Sequence, residues 1–193
     1  MPPLTKYSKD EIIEAALSLV RKEGIEKLSS RNLGVELGVS SRPIFTAFKN
    51  MEDLLNEVYN AAKVVYNNYS KKGLTYDPPF RGIGIQYFKF AKEEPKLFEI
   101  LFMKQNIPET GVANILFITH NNYDEILRAI QDSYKVSEEQ SRKIFETMWL
   151  VTHGLACLHV TGTIRFEESE VEERIVEIFS GVLLKIKTST DDQ

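Results

Sequence analysis

The chain is short of everything that marks a secreted, metal-built or catalytic protein. Its 193 residues contain one cysteine, Cys157, so no internal disulfide can form and a reducing, cytoplasmic setting is expected. Proline and glycine are sparse, at seven and ten, which leaves long stretches free to be helical. The opening MPPLTKYSKDE has no apolar stretch of the signal-peptide kind, and the polar tail Thr188 to Gln193 reads as frayed. Signatures of the G-x-S-x-G, P-loop, G-x-G-x-x-G and H-E-x-x-H types are missing, so no enzyme chemistry and no cofactor is expected. The acid pairs Glu93-Glu94, Glu138-Glu139 and Glu167-Glu168 read as solvated helix ends.

What is present is helical periodicity. Ser8-Lys9-Asp10-Glu11 is a capping box that opens a helix ending at Gly24. Asn50 can cap a long helix through Leu54, Val58, Ala62 and Val65 to about Ser70. Further helices are expected over residues 83–94 and 95–103, divided at Pro95, and over 112–134 as one amphipathic rod. A second capping box, Ser137 to Gln140, starts a helix to about Thr161. The last helix carries Val171, Ile175, Ile178, Phe179, Val182 and Ile186 on one stripe. The fold class is all-α, with about nine helices.

Thr147 to Ile164 is an eighteen-residue run without a charge. Ten apolar residues diluted by two histidines, four threonines and two glycines make a poor membrane span, so no membrane partner is expected. A helix apolar around its circumference must be covered on every side. Ile144, Met148, Val151, Leu155 and Leu158 are assigned to the chain's own core. Leu150, Gly154 and Cys157 lie opposite and suit a second copy of the chain, as does the last helix. Together they would form an intersubunit four-helix bundle.

The segment LSSRNLGVELGVSSRPIFTAFK, residues 28–49, reads as two short helices joined at Gly38. Ser29 or Ser30 can cap the first, whose apolar side is Leu33, Val35 and Leu37. Val39 plugs the corner. Ser40 can cap the second, and Pro43 fits its first turn, where a missing N–H is harmless. Ile44 and Phe48 point inward, leaving Ser41, Arg42, Phe45, Thr46 and Lys49 outward. A small, basic face presented from a glycine turn is the helix-turn-helix solution to reading a DNA major groove. Charge agrees mildly. Residues 1–50 carry a net +2 and the remainder −6, so only the first part suits phosphates.

Aromatic residues concentrate further on. Tyr87, Phe102, Tyr123, Trp149 and His153 are candidates for an apolar ligand cavity, against the alternative that most simply fill the core. His153 and Cys157, spaced i,i+4 with His120 elsewhere, could hold a soft metal. Without a second cysteine the pair reads better as a buried hydrogen bond.

The chain resembles the TetR-type transcriptional regulators along nearly its whole length. The match is carried by Ser8 to Leu55, including LSSRNLGVELGVSSRPIFTAFKNMEDLL. Tyr87 to Met103 and the W-x-x-x-H-G of Trp149, His153 and Gly154 are similar to one subgroup of the family's ligand-binding domains. The resemblance implies a three-helix DNA-binding domain over 1–53 and a larger helical ligand-binding and dimerisation domain over 54–193. It also implies a homodimer on a near-palindromic double-stranded operator, released by a small molecule. Departures are Phe45, where the family usually has a tyrosine, Ala47, where a polar residue is common, and Met51, where lysine is frequent. DNA contact then falls to Ser30, Arg31, Ser40, Ser41, Arg42, Phe45, Thr46 and Lys49, with Arg42 and Thr46 the base-reading candidates. The rival reading is a helical ligand-binding or scaffold protein that has lost sequence-specific DNA reading.

Overall fold

The structure, a computed structural model, describes residues 7–103 and 111–188. The opening residues 1–6 and the tail beyond Thr188 lie outside them. Among the described residues the regular elements are all helical. They are α1 (Lys9–Glu23), α2 (Ser30–Glu36), α3 (Arg42–Ala47), α4 (Met51–Gly73), α5 (Pro79–Glu93), α6 (Pro95–Phe98), α7 (Val112–Thr119), α8 (Tyr123–Tyr134), α9 (Glu138–Val160) and α10 (Glu168–Thr188). No helix among them is long and apolar enough to cross a membrane.

Local chemistry sets most of these ends. Both capping boxes form: the Ser8 hydroxyl accepts from the Glu11 N–H, and Ser137 accepts from Gln140. Asn50 Oδ1 accepts from the Asp53 N–H at 2.8 Å and opens α4. Ser29, rather than Ser30, caps α2 through the Asn32 N–H.

The expected rod over 112–134 is two helices, which brings the count to ten. The break is held by buried polar side chains. His120 bonds the Tyr66 hydroxyl through Nε2, and its Nδ1 lies 3.0 Å from Thr119 Oγ1. Asn67 Oδ1 takes the Asn121 N–H at 3.1 Å, and the Asn122 side chain bonds the Ser70 hydroxyl, also at 3.1 Å. Periodicity is blind to such a break, because side chains of α4 replace the helical bonds that are lost.

The chain divides into two compact units: Met1–Val65 with Glu94–Lys104, and Tyr66–Glu93 with Gln105–Gln193. In the first, Ile12, Ala16, Val20, Leu33, Ile44, Leu54 and Val58 are fully buried. Leu97 and Phe98 of α6, also fully buried, belong to this unit, and α6 packs on α1. A five-residue π turn, Glu99–Met103, follows. In the second unit α9 packs against α5, α8 and α10. Its buried side is Ile144, Phe145, Met148, Trp149, Thr152 and Ala156.

Three apolar assignments need correction. Val35 is 77% exposed, since two residues beyond Leu33 is about 200° around a helix. Leu158 joins Leu150 and Gly154 on an exposed row of α9 spaced by four, away from the core face led by Met148. Ile178 is exposed on α10, although Val171, Ile175 and Ile186 of its expected stripe are buried.

Candidate DNA-reading face and ligand cavity

In the first unit, α2 and α3 meet through a turn closed by the Val39 N–H on the Gly34 carbonyl at 2.8 Å. Gly38 has φ +64°, the left-handed region glycine enters cheaply. Gly34 matters differently. A Cβ there would stand 2.8 Å from the Val39 carbonyl oxygen and 3.4 Å from the Ser40 carbonyl carbon. The turn therefore presses on α2 at a spot that tolerates no side chain, a constraint the sequence reading missed. The Tyr7 hydroxyl adds a bond to the Leu37 carbonyl at 2.7 Å. Ser40 does not cap α3. Ser41 holds the N-cap position in near-helical geometry without a side-chain bond, so both hydroxyls stay uncommitted to a cap.

Ile44 and Phe48 are buried as expected, and each contributes about 2–3 kcal/mol of apolar burial that fixes the roll of α3. Ser41 and Ser30 are half-buried, while Arg31, Ser40, Arg42, Thr46 and Lys49 are exposed and Phe45 is 47% exposed. The Thr46 hydroxyl donates to the Arg42 carbonyl at 3.2 Å. Charge pairing separates the bases of this unit into two kinds. Lys9 pairs with Glu57, Arg21 with Glu94 at 2.9 Å, and Lys22 with Glu36 at 2.7 Å. Among the described residues no acid pairs with Arg31, Arg42 or Lys49. Three unpaired cations thus lie on and beside the helix-turn-helix.

The second unit holds a partly open cavity of about 220 Å³. Phe80, Ile83, Gly84 and Tyr87 of α5 form one wall, Phe145, Met148, Trp149 and Thr152 of α9 another, and Ile175, Val176 and Phe179 of α10 a third. His120, Tyr134, Pro78 and Arg81 complete it. Arg81 is ion-paired with Glu172. Of the five sequence candidates, Tyr87 and Trp149 line this cavity. His153 stands behind them, its ring stacked on Trp149 at 4.8 Å and its Nδ1 2.9 Å from the Tyr87 hydroxyl. Tyr123 is buried against Phe145, at 5.7 Å between ring centres, and is not part of the lining. Phe102 sits in the π turn of the first unit against Phe98, so it is corrected from lining to head-unit packing. Phe80, Phe145 and Phe179 do line the cavity. Their helical spacing looked like ordinary core, and only the tertiary gap distinguishes them.

Three polar side chains at or behind the cavity are shifted toward their neutral forms. Burial pushes the Tyr87 phenol well up, with Tyr66 and Cys157 adding to the shift. Burial also lowers the His153 imidazole and raises the Cys157 thiol. Cys157 Sγ lies 3.4 Å from His153 Nε2 in a part-buried contact. Among the described residues no group of three ligating side chains forms. A histidine with depressed proton affinity binds fewer protons folded than unfolded, so stability rises with pH across the interval between the two values. Burial, Lys92 and Arg165 lower His159 as well, with the same sign. Acidification from about pH 7 to about 5 is therefore expected to destabilise the second unit. His153→Gln should flatten that dependence in thermal melts, and an unchanged slope would contradict the assignment.

Comparison with known proteins places this geometry. Residues 12–58 match the family described as "Bacterial regulatory proteins, tetR family". Residues 80–180, more than half of the chain, match "Tetracyclin repressor-like, C-terminal domain". No curated protein matches significantly. Among solved structures, a protein of unknown function from Rhodococcus sp. RHA1 superposes with a TM-score of 0.71 at 18% identity, covering 96% of this chain and 99% of its own. A tetR-family transcriptional regulator from Streptomyces coelicolor gives 0.69 at 16% identity, covering 95% and 83%. A putative TetR-family transcriptional regulator from Vibrio parahaemolyticus gives 0.63 at 20% identity, covering 89% and 96%. With its unpaired basic helix-turn-helix and its larger helical unit, the chain belongs to the TetR family of DNA-binding, non-enzymatic transcriptional regulators.

Proposed function

We propose that the chain acts in the cytoplasm as a ligand-responsive repressor that grips a near-palindromic operator as a homodimer. DNA reading falls to residues 1–53, and ligand binding and pairing fall to 54–193. The observation that carries the reading is charge pairing: among the described residues Arg31, Arg42 and Lys49 stay exposed with no acid paired to them, while Lys9, Arg21 and Lys22 each pair with a carboxylate. Unpaired cations are what phosphates and guanine edges require. Pairing of two copies is supported by the apolar rows left uncovered in the second unit. Leu150, Gly154 and Leu158 are exposed on α9, and Val176 and Leu184 on α10. The W-x-x-x-H-G spacing, with Trp149 stacked on His153, supports placing the second unit in one subgroup of the family's ligand-binding domains.

Release follows from the route of the chain. The chain passes between the units three times, within α4, between α5 and α6, and after the π turn. α5 lines the cavity and leads directly into α6, which packs on α1 of the reading unit. A ligand that displaces α5 then shifts the spacing of the two heads away from successive major grooves about 34 Å apart. A coupling of about 1–3 kcal/mol suffices to empty most operators. Selection from random duplexes with the full chain should enrich a two-fold symmetric sequence. Gly154→Arg, whose side chain meets open space in the isolated chain, should sediment as a monomer and lose that sequence. Sequence-blind binding would support the scaffold reading instead, and a wild-type monomer at micromolar concentration would remove the dimer.

A further inference from the structure

We propose that the hydrogen bond between His120 and Tyr66 senses what the cavity holds, and that Tyr66 is the positioning residue that passes this to α4. The inference rests on the ligand-responsive reading above and adds a residue-level route separate from α5. α4 is one unbroken helix, Met51–Gly73, and the division between the two units falls inside it, after Val65. Its first half is anchored in the first unit by Leu54 and Val58, both fully buried. Tyr66 opens the second unit's share of the helix and is 1% exposed. Continuous helical bonding carries a displacement at Tyr66 to Val58, about two turns away.

Three polar contacts tie this part of α4 to the break between α7 and α8. Tyr66 bonds His120, Asn67 takes the Asn121 N–H, and Ser70 bonds Asn122. Only the first of them reaches the cavity, because His120 is in the lining and Asn121 and Asn122 are not. Tyr66 meets the wall at a second point, its ring edge-on to Tyr87 at 5.8 Å between centres. Phe145, another lining ring, stands edge-on to His120 at 5.3 Å. An occupant that presses on Tyr87 or Phe145 therefore bears on one end or the other of a single hydrogen bond.

The bond has a defined direction. The Thr119 hydroxyl donates to the Ile115 carbonyl at 2.7 Å, and His120 Nδ1 lies 3.1 Å from the Leu116 carbonyl, which can only accept. The imidazole proton is thus on Nδ1, and Nε2 accepts from the Tyr66 hydroxyl. Burial keeps that phenol protonated by pushing it well above its ordinary value. Tyr66 and His120 are 1% and 2% exposed, so parting them leaves two polar groups desolvated and unmatched. Such a contact is either made or broken, as a relay requires.

Calorimetry and operator binding on the full chain, with 2-naphthol as an apolar aromatic probe, test this. In the wild type, saturating 2-naphthol should weaken operator binding by about 5- to 150-fold. Tyr66→Phe keeps the ring and loses the hydroxyl. It should bind 2-naphthol as the wild type does and shrink the effect on the operator about fivefold, the net worth of one hydrogen bond. Ser70→Ala removes a neighbouring contact that does not reach the cavity, and should change the effect by less than about twofold. A merely structural role would damage both variants alike. Should Tyr66→Phe fail to fold, nitrogen resonances of the wild type still decide. His120 is one of three histidines, and its signals are those lost in His120→Gln. They should show Nδ1 protonated and Nε2 an acceptor, with Nε2 shifting as 2-naphthol saturates. An unmoved Nε2, equal shrinkage in the two variants, an undiminished effect in Tyr66→Phe, or no binding of 2-naphthol would each overturn the proposal. A shifted Nε2 with unchanged wild-type operator affinity upholds the sensing bond and defeats the ligand-responsive reading.

Discussion

Arg42→Ala should weaken operator binding by about 1–3 kcal/mol, which is roughly a 5- to 150-fold loss in a gel shift on the selected site. The residue is exposed at the first position of α3, and among the described residues no acid pairs with it. Its removal therefore leaves no orphaned buried charge, and unit stability should be unchanged. The manner of the loss tells how Arg42 works. If it grips a guanine bidentately, the loss is concentrated on operators that keep that base, and specificity relaxes at one position. If it holds a phosphate, affinity falls evenly across sequences and the salt dependence drops by about one counterion. Undiminished affinity would defeat the assignment of this face to DNA.

Gly34→Ala should do more damage, although helix propensity alone predicts the reverse. In an exposed helix the change would stabilise by about 0.5–1 kcal/mol. At this position the added methyl would sit 2.8 Å from a backbone carbonyl oxygen that has no flexible end to move aside. Opening the turn breaks the Val39 to Gly34 bond and displaces α3 as a whole. Overpacking of this kind costs about 1–3 kcal/mol. We expect a lower melting temperature for the first unit and operator affinity below that of Arg42→Ala, because every contact of α3 moves together. A stabilised variant that binds DNA normally would show that the turn has slack.

The helix-turn-helix was legible because its signals are local. Gly38, the Ser29 cap and the inward pair Ile44 and Phe48 are each set within a few residues. Gly34 escaped notice because its constraint comes from atoms five to seven residues later in a turn whose closeness no propensity records. The second unit was legible as helices but not as a site. Trp149 and Tyr87 stood out as unusual side chains, whereas Phe80, Phe145 and Phe179 repeat at core spacing like any packed aromatic. Phe102 misled for the matching reason. It lies in sequence between cavity-bearing helices, yet its segment packs with the other unit. The break at His120 to Asn122 was invisible because its bonds reach back more than fifty residues to Tyr66, Asn67 and Ser70.

The stretch Glu94–Lys104 has a practical consequence for anyone wishing to borrow the reading head. Cutting the gene after Val65 yields a fragment that lacks Leu97 and Phe98, two fully buried plugs of the same unit. Its α1 would keep a greasy scar where α6 had been. Chimeras that graft these DNA contacts onto another sensor must transplant two separated stretches of gene, or rebuild the missing plug by design.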